Sequence, residues 1–436
     1  MPGHRRTMRA VATRTGHHPH RHTLRGFGYF RRLGPGLVTG ASDDDPSGIG
    51  TYSQAGAAFG FGFLWTAWIT LPLAAAVQET AGRLGLVTGH GLAALIKMRF
   101  PRWVLFGAVA LVAVANGFNI GADLGSMAAS VRLLVPIPQA LLLVAMAGLM
   151  VGLEIVLPYE RYAKVLRWLT LSLAAYIGVL FVIDVNWGSV LRQTLIPRIS
   201  WTRTEIAMLI AILGTTISPY LFFWQASEEV EEKEVEEKHL EKKHAVDREH
   251  LSLMRADVLA GMASAVLVMF AIMVASAATL GKHGVTTVQT AQQAAEALRP
   301  IAGRLASLLF TLGIVGTGAL AVPVLAGSTA YALSEAFGWD EGLGKKFSGA
   351  RKFYLVIAAA MLVGLALNFV GIDPIRALYF AAILNGIAAP PLILLMLILS
   401  NHQPTCGKWT ARRWSNALVG VALVLMTALP IAYLVA

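Results

Sequence analysis

Residues 34–62 read GPGLVTGASDDDPSGIGTYSQAGAAFGFG, and the fold turns on how the acids in the middle are taken. Small and apolar residues from Gly34 to Ala41 lead into Asp43, Asp44 and Asp45. Pro46 follows, then Ser47-Gly48-Ile49-Gly50, and a helix-compatible run leads on to Trp65 and Trp68. In a soluble protein this would be a surface turn. Here it lies inside the first of many long apolar segments, where each Asp costs at least about 2.5–3.5 kcal/mol on insertion scales. Pro46 has no backbone N–H and disfavours helix at Asp45. Gly48 and Gly50 let the backbone leave helical geometry cheaply. Non-helical backbone at membrane depth is tolerated only where it is buried in protein or lines a cavity. An interrupted first span carrying acids therefore points to an ion or substrate site near the bilayer midplane. The alternative, acids at the water-facing start of a span beginning near Ile49, leaves the apolar run Leu37 to Ala41 unexplained.

The 436-residue chain is 56% hydrophobic and 14% charged, with a mean hydropathy of +0.61, which is membrane composition. A formal charge of +11 would suit nucleic acid, but the basic residues fall in short segments between apolar spans. That is the positive-inside pattern, so the expected partner is the lipid bilayer and no nucleic acid. Cys406, the one cysteine, excludes an internal disulfide and a Cys-rich metal site, and reads as an incidental loop residue. Residues 1–32 lack the apolar core of a signal peptide. They read as a basic cytoplasmic tail, although the absence of acids also fits a transit peptide. His17, His18, His20 and His22 offer metal ligands, but so polar a stretch has little apolar surface to fold around. No P-loop, nucleophile elbow or metal-ligating His pair on a helix stands out, so no enzyme is expected.

Eleven spans of roughly 20 residues, the length a ~30 Å hydrocarbon core requires, are expected near 37–58, 62–80, 104–131, 138–157, 165–184, 206–227, 256–280, 304–333, 354–371, 376–399 and 415–435. The Arg-rich tail and the connections holding Arg83, Lys97, Arg99 and Arg102, then Arg161, Lys164 and Arg167, then Lys345, Lys346, Arg351 and Lys352, then Lys408, Arg412 and Arg413 fall on one side. The N-terminus is thus expected in the cytoplasm, with a bacterial cytoplasmic membrane as the location. The segment Glu228 to His250 interleaves acids with Lys233, Lys238, Lys242, Lys243 and Arg248. It reads either as a solvated helix held by i,i+4 pairs or as a metal-sensing arm with His239, His244 and His250. The sixth span carries a second candidate break, with Pro219 in its middle after Gly214, Thr215, Thr216 and Ser218. By itself this is equally an ordinary proline kink. Spans one and six, however, are corresponding positions of two five-helix halves, and paired interruptions of that kind point to a transporter site.

These residues resemble the NRAMP family of proton-coupled divalent metal transporters, from Gly34 to about residue 400. Asp45-Pro46-Ser47-Gly48 resembles the family's first-span Asp-Pro-Gly-Asn. Gln78 with Arg83-Leu84-Gly85-Leu86-Val87-Thr88-Gly89 is similar to its second-span exit, and Ala122-Asp123-Leu124 to its third span. Gly214-Thr215-Thr216-Ile217-Ser218-Pro219-Tyr220 resembles the sixth-span Gly-Ala-Thr-Val-Met-Pro-His, and Arg351-Lys352 sits where the family has a basic pair. The resemblance implies an all-α integral membrane protein of LeuT type: five plus five helices in inverted repeat, broken helices one and six, and an eleventh helix. On that reading the tail is 1–32 and the transport core 33–400. Its repeats are about 33–185 and 205–400, with a charged cytoplasmic insertion at 228–250 and the eleventh helix in 401–436.

The departures set the expected chemistry. The family's metal-binding Asp is kept as Asp45, but its Asn is Gly48, its Met is Ser218 and its His is Tyr220; a companion acid of Asp123 is Ser126. Thioether sulfur helps select soft metals, and Ser218 offers only hard oxygen. Asp45, Asp44, Ser218 and Thr215 form an all-oxygen ligand set, with Pro46, Ser47, Gly48, Pro219 and Tyr220 shaping the site. The expected cargo is Mg²⁺ or Mn²⁺, partly hydrated in the room left by Gly48 and Ser218; no resident cofactor is expected. Tyr220 replaces the side chain best suited to titrate near neutral pH, so proton coupling is expected to be weak or absent. Asp123 with Arg351 or Lys352 is either a remaining proton route or a structural ion pair. Two other readings stand: a small organic solute on the same fold, with Phe222, Phe223 and Trp224 near it and its carboxylate at Ser47 and Gly48, or a metal sensor or scaffold that transports nothing. The sequence identifies no dimer face, so the oligomeric state is open.

Overall fold

The computed structural model describes residues 34–156, 173–240 and 246–435. The N-terminal tail with its four histidines, Arg161, Lys164, Arg167, the first part of the 165–184 span and the side chains of His239 and His244 lie outside the described residues. The long helices, in chain order, are α1 Pro35–Asp43, α2 Pro46–Phe59, α3 Thr66–Thr88, α4 Arg102–Arg132, α5 Gln139–Val156, α6 Arg203–Thr216, α7 Pro219–Leu240, α8 Arg248–Thr279, α9 Ala306–Phe337, α10 Arg351–Leu367, α11 Pro374–Asn401 and α12 Arg413–Val435. Shorter helices and turns connect them. The protein is all-helical and membrane-integral. Eight helical segments among the described residues are long and apolar enough to cross a bilayer, or nine if Pro46–Phe63 and Thr66–Thr88, bent by 114°, count as one span. The shortfall from eleven has a physical cause. The first span is built from α1 and α2, of 9 and 14 residues, each too short to cross alone. The fifth lies largely outside the described residues.

Both proline breaks are present. Asp44 and Asp45 are non-helical between α1 and α2, and Ile217 and Ser218 are non-helical between α6 and α7. Pro46 and Pro219 each open the second half, where the missing N–H would have had no helical partner anyway. Trp103, Leu141, Phe181, Leu355 and Leu434 are exposed, apolar surface that lipid, not water, solvates.

The half-helices are held by small residues that let backbones touch. A Cβ added at Gly40 of α1 would collide with the Gly261 backbone of α8, and one at Gly261 with the Gly36 carbonyl. One at Gly214 of α6 would collide with the Ala382 carbonyl of α11, and one at Gly85 of α3 with the Ala226 carbonyl of α7. The first turn of α1 has no side-chain cap of its own. Its Gly36 amide donates to Asp257 Oδ2 of α8 at 2.6 Å, so a carboxylate from another helix does the capping. Thr39 Oγ1 donates to Gln225 Oε1 of α7 at 2.6 Å, and Gln225 Nε2 to Glu229 Oε1 at 2.9 Å.

The same end of the molecule carries a buried ionic knot. Glu79 Oε1 accepts from Arg255 Nε at 2.9 Å and from Arg83 Nε at 3.3 Å, its Oε2 accepts from Ser415 of α12 at 3.0 Å, and Arg83 Nη1 donates to the Trp409 carbonyl at 3.1 Å. Cys406 beside it is no loop bystander: it is 2% exposed, with Sγ donating to the Leu399 carbonyl at 3.5 Å. The charged segment after Glu228 is likewise less solvated than its composition implies. It continues α7 without a break, Glu229 is buried, and Glu231 accepts from Tyr331 Oη at 2.5 Å and from the Leu343 amide at 3.0 Å.

Candidate functional site

Where α1 ends and α2 begins, Asp45 takes extended backbone angles and becomes the N-cap of α2, Oδ1 accepting from the Gly48 amide at 2.8 Å and from Ser47 Oγ at 2.6 Å. An acid at a helix N-terminus meets unpaired amides and the positive end of the dipole, which is how this carboxylate is accommodated at membrane depth. Tyr220 Oη donates to the Ser42 carbonyl at 2.8 Å and more weakly to Asp45 Oδ2 at 3.5 Å. The second break faces the first. Thr215 Oγ1 lies 3.2 Å from Ser47 Oγ, and Tyr52 Oη lies 3.1 Å from Thr216 Oγ1. Ser218 Oγ donates to the Gly214 and Thr215 carbonyls at 2.8 Å each, leaving its lone pairs free. The C-terminal carbonyls of α1 and α6 thus gather beside one carboxylate, an arrangement that attracts cations.

Of the residues expected from sequence, Asp45, Ser47, Gly48, Thr215, Ser218 and Tyr220 come together, and Pro46 and Pro219 shape the two breaks. All six are buried. Asp44 is buried next to them with Oδ1 unpartnered, and Asp43, not anticipated as a site residue, is fully buried with neither oxygen partnered. Among the described residues no three His, Cys, Asp or Glu side chains converge as a ready-made metal cage. The donors around the breaks are oxygens; the nearby sulfurs are Met269, 4.0 Å from the Thr216 hydroxyl, and Met127, packed against Gly318 beside Pro46.

Three expectations need correction. Gly48 does not leave an open space, because a Cβ there would stand 3.2 Å from the Asp43 carbonyl and from Tyr52 Cε2. The amides of Ser47 and Gly48 do not await a solute carboxylate, since Asp45 already caps them, and Phe222, Phe223 and Trp224 are core residues, each 0% exposed. Arg351 and Lys352 do not reach Asp123. Both are exposed at the start of α10, and Lys352 sits 5.0 Å over the Trp339 ring. Near Asp123, α4 is met by the other end of α10, where Asn368 Nδ2 donates to the Gly121 carbonyl at 2.8 Å. That is more than three helical turns, about 20 Å or more of helix, from Arg351.

Asp123 is fully buried and has no hydrogen-bond partner on either oxygen. It lies on one face of α4 with Asn116, Asn119, Ser126 and Ser130, all buried. Asn116 Nδ2 binds the Leu325 carbonyl, Ser328 and Thr329 of α9, Asn119 has neither amide atom partnered, and Thr311 of α9 donates to the Ser130 carbonyl at 2.8 Å. On α11, Asn385 is 0% exposed with both amide atoms unpartnered. Sequence reading missed Asn119 and Asn385. The signal was available, since a polar side chain inside an apolar span is a functional candidate by default.

A family model described as natural resistance-associated macrophage protein-like matches residues 36–436. Relatives include a divalent metal cation transporter MntH of Caldanaerobacter subterraneus subsp. tengcongensis, 26% identical over 86% of each chain. Another MntH, from Klebsiella pneumoniae, is 25% identical over 91% of this chain and 92% of its own. Among solved structures, a manganese transporter of Eremococcus coleocola superposes with a TM-score of 0.73 at 18% identity, over 93% of this chain and 87% of that one. Mhp1, a nucleobase-cation-symport-1 family transporter, superposes with a TM-score of 0.60 at 15% identity, over 92% of both. At those identities the structural likeness speaks for the fold alone.

Proposed function

The chain belongs to the Nramp family, and from that premise we propose that it is a membrane transporter carrying a hard divalent cation, Mg²⁺ or Mn²⁺, with weak or no coupling to protons. The observation that carries this reading is the donor set at the paired breaks: the Asp45 carboxylate, the Ser218 and Thr215 hydroxyls and helix-end carbonyls, all oxygen. Oxygen sets suit hard cations, and Mg²⁺ keeps several of its waters. A water-sheathed ion presents hydrogen-bond donors outward, and the unpartnered oxygens of Asp43 and Asp44 are acceptors suited to them. The weak-coupling reading is supported by α4, whose buried polar face carries Asp123 as its one titratable side chain, next to asparagines and serines. A proton relay needs a succession of titratable groups.

On the same reading, residues 33–185 and 205–400 are the inverted halves of a LeuT-type core, each opening with a broken helix. Residues 401–436 add an eleventh span, and residues 1–32 lie at the cytoplasmic face of a bacterial cytoplasmic membrane.

Purified protein in proteoliposomes tests the proposal, with Mg²⁺, Mn²⁺, Ca²⁺ and Cd²⁺ supplied in turn and a pH dye inside. Saturable Mg²⁺ or Mn²⁺ entry without lumen acidification is the expected result. Entry of Cd²⁺ alone, or acidification that tracks metal entry, contradicts the ion assignment or the coupling assignment respectively. In the same assay Ser218→Met is expected to shift the Cd²⁺ to Mg²⁺ flux ratio about tenfold or more toward Cd²⁺, because a soft thioether replaces a hard hydroxyl.

A further inference from the structure

We infer that Asn385 of α11 is a cargo-binding residue whose amide oxygen holds the cation or a water of its hydration shell; this rests on the transport reading above. The argument begins with a cost. A buried amide without partners loses its hydrogen bonds to water and gains none from the protein, an expense that an apolar side chain of the same shape would remove. Asn385 is such a group: it is 0% exposed, and neither Oδ1 nor Nδ2 has a partner. Asn401, on the same helix near its end, shows the ordinary solution, with Nδ2 donating to the Leu397 carbonyl at 2.8 Å and to Asn416 Oδ1 at 2.9 Å.

The position of Asn385 supplies the reason for tolerating that cost. Leu378, Ala382, Asn385 and Ala389 recur at helical spacing, so they share one face of α11, and all are buried. That face meets both broken spans. Leu378 packs against Gly50 of α2, and the Ala382 carbonyl and Gly386 amide stand against Gly214 of α6. Gly214 is the residue whose carbonyl accepts the Ser218 hydroxyl. Asn385 therefore sits in the wall that closes the two breaks, one residue from a group touching the C-terminal end of α6. An amide oxygen there is a neutral, hard acceptor. It adds to the coordination or hydration of the ion without adding charge, so a site whose ligating anion is Asp45 can still release its cargo.

The experiment compares Asn385→Leu and Asn385→Asp with wild type and Asp45→Ala in the proteoliposome assay, alongside the melting temperature of each purified protein. Leucine is nearly isosteric and apolar; aspartate keeps the acceptor oxygen. If Asn385 holds the cargo, Asn385→Leu raises KM for Mg²⁺ or Mn²⁺ about tenfold or more, the loss expected for one hydrogen bond to a charged group. Maximal flux and melting temperature stay at or above the wild-type values, and Asn385→Asp keeps a KM equal to or below wild type. A wild-type KM in Asn385→Leu, with Asp45→Ala inactive, overturns the assignment and leaves the transport reading standing. Equal impairment of both variants, or a fall in melting temperature that accounts for the lost flux, makes Asn385 structural and also overturns it. Absence of divalent flux from the wild type defeats both readings together.

Discussion

Asp45→Ala is expected to lower divalent flux about 100-fold or more, because charge-assisted contacts are the strongest a hard cation finds in such a site and two or three kcal/mol of lost binding is that factor. Alanine alone would be ambiguous, since Asp45 also caps α2 through the Gly48 amide, and loss of a cap destabilises by about 0.5–2 kcal/mol. Asn is as good an N-cap as Asp. Asp45→Asn therefore keeps the cap and removes the charge. Both variants should lose flux, while only the alanine variant should lose the capping contribution to thermal stability. Flux retained in Asp45→Asn would mean that the charge is not what binds the cargo. Flux lost only in the unstable variant would make Asp45 a structural residue.

Gly261→Ala is expected to be the most damaging single methyl in the protein. The new Cβ would meet the Gly36 carbonyl and the Gly36–Leu37 backbone. Backbone cannot rotate aside as a side chain does, so α1 must move off α8 and surrender the Gly36–Asp257 hydrogen bond. Overpacking of this kind costs about 1–3 kcal/mol or more, and the displaced helix is the one that carries Ser42, Asp43 and the carbonyls beside Asp45. Loss of most transport with a melting temperature several degrees lower is the expected result. Gly420→Ala on α12 is the control: nothing lies within 4 Å of its Cβ, and alanine favours helix by up to about 1 kcal/mol over glycine, so stability should hold or rise. Equal behaviour of the two variants would show that the α1–α8 contact is not rigid.

The two breaks were legible because their causes are local. Pro46 and Pro219 remove a donor wherever they stand, and three consecutive acids in an apolar run demand a cation, a proton or water regardless of what packs around them. The expected first span, 37–58, is α1 and α2 laid end to end. What failed was register. Asp123 and the Arg351–Lys352 pair belong to neighbouring helices, and only the packed structure reveals that α10 meets Asp123 with its far end. The Gly48 site looked roomy from residue size alone, but the space belongs to Tyr52 and the Asp43 carbonyl. Asn385 lay in plain view as an amide in an apolar span. It carries no family motif, and its link to Gly214 depends on a helix crossing that no spacing encodes.

The burial of Cys406 has a practical consequence for watching the protein move. Maleimides and similar spin or fluorescent probes react with an accessible thiolate. The one native thiol is shielded, and burial lifts its pKa although the nearby Arg83 pulls the other way. The wild-type chain is thus its own label-silent background. A single reporter cysteine, for instance Val38→Cys on α1, would be the one fast-reacting thiol, and its labelling rate with and without cargo would follow α1 in time without first building a cysteine-free variant.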